Sequence, residues 1–163
     1  MGAMDYNRTI NIMKKIIVVF ISVLGFAFTA NAQNGAIGVR LGGGNALYNA
    51  EISGQIPVGN NRLELDLGFS GNEYINLAGI YQWTGPIAGN FGWYVGPGVN
   101  LGFCIHHGFG IAAILQGGFE YDFSSIPLQL TLDARPSWDF IRREGCVYKG
   151  FGWGIALGVR YRL

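Results

Sequence analysis

From Arg62 to Phe69 the chain alternates without a break. Arg62, Glu64 and Asp66 take one parity, and Leu63, Leu65, Leu67 and Phe69 take the other. The segment from Leu128 to Arg135 repeats the pattern, with leucines 128, 130 and 132 interleaved with Gln129, Thr131, Asp133 and Arg135. Near the end, Trp153, Ile155, Leu157, Val159 and Tyr161 face one way. Gly152, Gly154, Ala156, Gly158, Arg160 and Arg162 face the other. A helix cannot sort side chains with period two. A strand must, because successive side chains leave it on opposite faces.

The same reading along the chain predicts eight strands, over 35–43, 46–57, 61–70, 73–84, 90–104, 109–123, 126–137 and 150–162. The breaks carry turn chemistry: Gly42-Gly43-Gly44-Asn45, Pro57-Val58-Gly59-Asn60-Asn61, Gly71-Asn72, Thr84-Gly85-Pro86, His107-Gly108 and Ser124-Ser125-Ile126-Pro127. Most segments reach the roughly 9–11 residues that a tilted strand needs to cross a bilayer. Strands of water-soluble sandwiches are commonly nearer 5–6 residues.

Long alternating strands serve two architectures of opposite polarity, a soluble barrel with an apolar interior and a membrane barrel with a polar one. The small residues discriminate. Gly38, Gly96, Gly98, Gly102, Gly118, Gly152, Gly154 and Gly158 lie on the charged face, whereas the other face is bulky and aromatic. An eight-stranded lumen is only just wide enough for side chains. Glycines beside long Arg and Glu chains therefore suit an interior, and leucines and aromatics suit lipid. The expected fold is all-β, an eight-stranded antiparallel up-and-down transmembrane barrel.

Aromatic placement agrees with two headgroup girdles. With both termini on the periplasmic side, Tyr81, Trp83, Phe91, Trp93, Tyr121, Phe123 and Tyr161 form one belt. Tyr48, Phe69, Phe103, Phe109, Trp138, Phe151 and Trp153 form the outer one.

The N-terminus adds an export signal. Lys14-Lys15, an apolar stretch from Ile16 to Phe28 and Thr29-Ala30-Asn31-Ala32 make a positive n-region, an h-region and an Ala-x-Ala cleavage site. The stretch is short for a transmembrane helix. Residues 13–32 thus read as a signal peptide, 1–12 as an upstream extension or cloning scar, and 33–163 as the barrel. The mature part holds 131 residues with eight Lys and Arg against nine Asp and Glu. It has no basic face for nucleic acid, and nothing in it implies a cofactor.

The whole mature chain resembles the small eight-stranded outer-membrane proteins, the group containing OmpX and the membrane domain of OmpA. The resemblance is architectural. It implies location in the outer membrane of a Gram-negative bacterium, contact with outer-membrane lipid and lipopolysaccharide, and insertion by the barrel assembly machinery. Ile155, Leu157, Val159, Tyr161 and Leu163 resemble the C-terminal assembly signal of such proteins. That signal most often ends in Phe, so Leu163 departs from it.

By parity the lumen receives Arg40, Glu51, Arg62, Glu64, Asp66, Glu120, Asp122, Asp133, Arg135 and Arg160, with Arg162 at its end. Asn49, Gln55, Asn76, Gln82, Asn100, Gln116 and Gln129 share that face. Buried charges persist only when paired and hydrogen-bonded, so the near balance of sign predicts a charge network filling the lumen. With the interior structural, function falls to the outer loops, near 42–47, 70–73, 104–109 and 137–150. The last is the longest and mixes aromatics with Arg142, Arg143 and Lys149. Those cations suit the phosphates of lipopolysaccharide or an external partner. Cys104 and Cys146 meet the outer rim, where a disulfide and two free thiols are both compatible with the sequence. A surface metal site with His106 and His107 is a third arrangement, although the spacing matches no zinc motif.

These features predict a non-enzymatic barrel with a structural or surface-interaction role. A lipid A-modifying enzyme is one alternative. It needs a serine–histidine pair facing lipid, and His106 and His107 are the only histidines, with Ser137 and Ser70 the nearest outer-rim hydroxyls. No His-x-Ser signature is present. A narrow channel or small-ligand binder lined by the same charges is the other.

Overall fold

The computed structural model describes residues 35–44, 50–70, 74–104, 108–141 and 150–163, together with residues 14–15, 18–19 and 22, which are helical. Asn49, Tyr48, His106, His107, Cys146 and most of the segment 137–150 lie outside the described residues.

Eight antiparallel strands form a closed up-and-down barrel. They are β1 (Ala36–Gly44), β2 (Ala50–Val58), β3 (Asn61–Ser70), β4 (Tyr74–Ala88), β5 (Phe91–Cys104) and β6 (Gly108–Asp122). β7 runs over Leu128–Ala134 and resumes at Ser137–Ile141, and β8 runs over Phe151–Gly152 and Gly154–Arg162. The interruption in β7 at Arg135-Pro136 does not open the wall. Leu115 N donates to Pro136 O at 3.0 Å on one side, and Arg135 N donates to Gly154 O at 2.9 Å on the other. Each strand pairs with its sequence neighbours, and β1 closes the ring on β8 from Ala36↔Arg162 to Gly44↔Gly154. Among the described residues this closure joins the first and last strands edge to edge, the condition a sheet must meet to sit in hydrocarbon.

Two tight hairpins sit at the end of the barrel that carries the chain termini. Gly59 (φ 62°) precedes Asn60, and Gly89 (φ 56°) precedes Asn90. A glycine with positive φ in the first central position is the requirement of a type II′ hairpin turn.

Three boundaries differ from the sequence reading. The turn expected at Thr84-Gly85-Pro86 is strand, and β4 continues to Ala88 with a register shift between Pro86 and Ala88. Proline is tolerated there because a bulge near a strand end has little ladder to lose. Gly85 also lies opposite Trp93, whose indole occupies the space a Cβ would need. Residues 126 and 127 form a bend, and β7 begins at Leu128. Ser137–Ile141, expected to open the long loop, is strand paired with β6 at Ile111–Ile114.

The wall is polar inside and apolar outside. Arg40 and Arg160 are fully buried, whereas Leu41, Leu132 and Leu157 are more than half exposed. A row of bulky side chains girdles the outside, Leu41 beside Leu157, Leu157 beside Leu132, and Leu132 beside Phe119. Leu67 and Ile75 are exceptions, buried in a cluster with Leu65, Phe69 and Leu77. Tyr81, Trp83, Phe91, Trp93 and Tyr161 are exposed near the terminal end, while Trp138, Phe151 and Trp153 are exposed near the other. Neighbouring rings touch within each group, Phe91 with Tyr121 at 4.7 Å and Trp138 with Phe151 at 5.2 Å.

Candidate functional site: the charged lumen

Period-two alternation brings one side chain in every two to the barrel axis, and the eight strands deliver them from all directions. Arg40 on β1 is hydrogen-bonded to Glu51 on β2 and reaches Asp133 on β7 at 2.5 Å and Asp66 on β3 at 3.4 Å. Arg135 on β7 contacts Asp66 at 2.6 Å, Glu51 at 3.4 Å and Glu64 at 3.5 Å. Arg160 on β8 donates to Glu64 at 2.9 Å, Thr131 at 2.9 Å and Ser53 at 2.9 Å. Three guanidinium groups thus hold four carboxylates with almost no solvent contact.

Glutamines supply further donors to Glu64. Gln55, Gln82 and Gln116 donate to Glu64 at 2.9, 3.1 and 3.0 Å. Asn76 donates to Glu51 at 3.3 Å and to Asn100 at 3.2 Å. The cluster draws on every strand once Tyr94 is included, since its hydroxyl on β5 donates to Asp133 at 2.9 Å. Only glycine makes room for it at two wall positions. A Cβ at Gly158 would overlap the Thr131 hydroxyl and press on Arg40, and one at Gly68 would overlap the Asn76 amide.

Toward the terminal end the charges thin into a vestibule. Arg62 pairs with Glu120 at 2.7 Å, donates to Gln82 at 2.5 Å and lies 4.8 Å from the centre of the Tyr94 ring. Arg162 and Asp122 are 3.6 Å apart, and the Arg162 guanidinium also donates to Phe123 O at 2.8 Å. Gln129 donates to both Asp122 and Glu120, at 3.2 and 3.4 Å. The cavity here measures about 560 Å³.

Arg40, Glu51, Glu64, Asp66, Asp133, Arg135 and Arg160 are buried in the cluster, and Arg62, Glu120, Asp122 and Arg162 line the vestibule cavity. The sequence reading passed over Tyr94, Ser53 and Thr131 as members. Tyr94 shares the parity of Gly96 and Gly98, which was the available signal, but aromatics were assigned to lipid by type. It also overlooked an apolar patch inside, where Ala78, Ile80 and Ile114 are buried together on the lumen parity of β4 and β6. Ile155, Leu157, Val159, Tyr161 and Leu163 point outward and are exposed. Cys104 ends β5, but its side chain and Cys146 are outside the described residues, as are His106 and His107. Ser137, the hydroxyl a lipid-facing enzyme would use, is instead buried on the lumen side. Its neighbour Trp138 takes the outward position. Among the described residues no group of three or more acidic, His or Cys side chains is placed to hold a metal ion.

No protein-family model and no curated protein matches the chain. Among solved structures, Neisserial surface protein A aligns with a TM-score of 0.55 and 12% sequence identity, over 80% of this chain and 94% of that one. The likeness is one of fold: the barrel has the architecture of a small outer-membrane protein.

Proposed function

We propose that the chain is a non-enzymatic barrel of a bacterial outer membrane with a structural or surface-interaction role, its termini in the periplasm and its lumen closed by the charge network. The observation that carries this reading is the inverted wall. Arg40, Glu64, Asp66 and Arg160 are sealed inside while Leu41, Leu132, Phe119 and Leu157 are presented outward. In water such a surface would be an aggregation-prone belt of apolar side chains. In hydrocarbon it is the favourable face, and the ion pairs are the only arrangement that keeps the charges away from lipid.

Ion pairs from five strands, with hydrogen-bonded side chains from the other three, fill the middle of the lumen, which supports a barrel that does not conduct. The outer loops are then the part of the molecule free to meet lipopolysaccharide or a partner, and the cations Arg142, Arg143 and Lys149 supply the matching charge.

Two measurements on one sample of barrel refolded in detergent test the reading. Unheated protein should migrate differently from boiled protein on a denaturing gel, and it should give no steady single-channel current in a planar bilayer. Protein that shows no heat shift and stays monodisperse in plain buffer would sink the membrane assignment. A stable current that changes on neutralising Glu64 or Arg135 would show that the lumen conducts.

A further inference from the structure

The vestibule at the terminal end has a feature that the sealed plug lacks. Its charges are paired with each other, but one pair is loose. Arg62 is locked by Glu120, Gln82 and the Tyr94 ring. Arg162 and Asp122, by contrast, stand 3.6 Å apart, beyond good hydrogen-bonding distance, with 38% and 36% of their side chains exposed. Between them and the plug lies Gln129, only 4% exposed, whose amide nitrogen serves Asp122 and Glu120 while its Oε1 has no partner. Arg62, Glu120, Asp122, Gln129 and Arg162 line one cavity of about 560 Å³. That volume lies within the roughly 300–1,000 Å³ of small-molecule sites.

We propose that this vestibule binds a small zwitterion bearing a carboxylate and an ammonium, of the size of a free amino acid or dipeptide, between Arg162 and Asp122. The argument is one of stranded charge. A simple anion that takes Arg162 leaves Asp122 unpaired beside Glu120, and a simple cation that takes Asp122 leaves Arg162 unpaired. Either outcome leaves one member of the pair without its ionic partner in the cavity. A ligand with both signs replaces both halves of the loose pair. Its carboxylate meets Arg162 Nη1, the guanidinium nitrogen that faces Asp122 while Nη2 donates to Phe123 O. Its ammonium meets Asp122 and Glu120 and is the kind of donor that Gln129 Oε1 lacks. A neutral solute of the same size gains nothing over water. That the cavity opens to the periplasm rests on the orientation proposed above; the binding chemistry does not.

The test is a titration of isotope-labelled, refolded barrel in detergent micelles with glycylglycine, followed by backbone amide chemical shifts. Saturable shifts at Asp122, Gln129 and Arg162 are expected. Sodium acetate, methylammonium chloride and N-acetylglycinamide should each fail to saturate. Asp122→Asn should weaken glycylglycine at least about tenfold, the loss expected on deleting a charge-assisted hydrogen bond, while keeping the heat shift. Absence of a saturable response to glycylglycine overturns the proposal, and so do equal shifts with acetate or undiminished binding by the Asp122→Asn barrel. A sample that heat-shifts yet does not bind refutes this site alone. A sample without a heat shift refutes the membrane barrel as well.

Discussion

Arg40 and Asp133 are 93 positions apart in the chain and meet at 2.5 Å on the barrel axis. β1 and β7 are not neighbours in the wall, since β8 stands between them. The contact therefore runs through the lumen and not along the sheet. It ties the closure of the barrel to one guanidinium that also holds Glu51 and Asp66.

Removing that guanidinium should be costly. Arg40→Ala leaves Glu51 and Asp133 facing each other without their shared cation, and a broken buried pair typically costs about 3–5 kcal/mol. The expected outcome is a lower denaturant midpoint in micelles, read from the loss of the fast- or slow-shifted unheated band on a gel series. A midpoint within error of the parent would show that the ion pairs contribute nothing to the fold.

The four central carboxylates differ in how much they hold. Glu64 accepts from Arg160 and three glutamines, whereas Asp66 Oδ1 has no partner and the cluster has one more carboxylate than guanidinium. Asp66→Asn keeps the shape and equalises the charges, so it should change stability by less than about 1 kcal/mol. Glu64→Gln should destabilise by several times more, because it places an amide donor against donors. Unfolding curves of the two variants side by side check the order, and the reverse order would contradict this account of the network.

Glycine 158 should be intolerant for steric reasons. A Cβ there meets Thr131 and Arg40, whereas one at Gly43 meets nothing. Gly158→Val is expected to fold poorly, and Gly43→Val to refold like the parent. The fraction of heat-modifiable protein after refolding into lipid vesicles measures both. Equal yields would mean that the lumen has slack the structure does not show.

The outward row offers a test in the other direction. Leu157 lies mid-strand on β8 between Leu41 and Leu132 and is 54% exposed. Leu157→Arg puts a charge into hydrocarbon, at a cost of about 2–4 kcal/mol near the bilayer midplane. Insertion into vesicles should fall, while Leu157→Phe should insert normally. If the arginine variant were also more soluble without detergent and equally folded, the outside would be facing water.

Much of this molecule is legible in its sequence because strand parity is local. Residues two apart share a face whatever the rest of the chain does, so Arg62, Glu64 and Asp66 could be placed inside, and Leu63 and Leu65 outside, before any pairing was known. Turn chemistry, equally local, located the hairpin at Gly59-Asn60, whose glycine has the positive φ the turn needs. Where local signals misled, a cross-strand neighbour had overridden them. Gly85-Pro86 reads as a turn in isolation, but Trp93 covers the glycine and the strand continues.

What only the tertiary structure decided is who meets whom. Parity sends Arg40, Arg135 and Arg160 to one interior, yet it carries no information about which carboxylate each will find. That depends on ring closure and on the stagger of the strands, which bring β1 and β7 face to face across the axis. Parity turns Tyr94, Ile80 and Ile114 inward, and closure then sets the Tyr94 hydroxyl on Asp133 and packs Ile80 against Ile114 inside a polar lumen. Alternation is a property of one strand and can be read along it. Partnership across the lumen belongs to the closed ring, and no single stretch of the chain contains it.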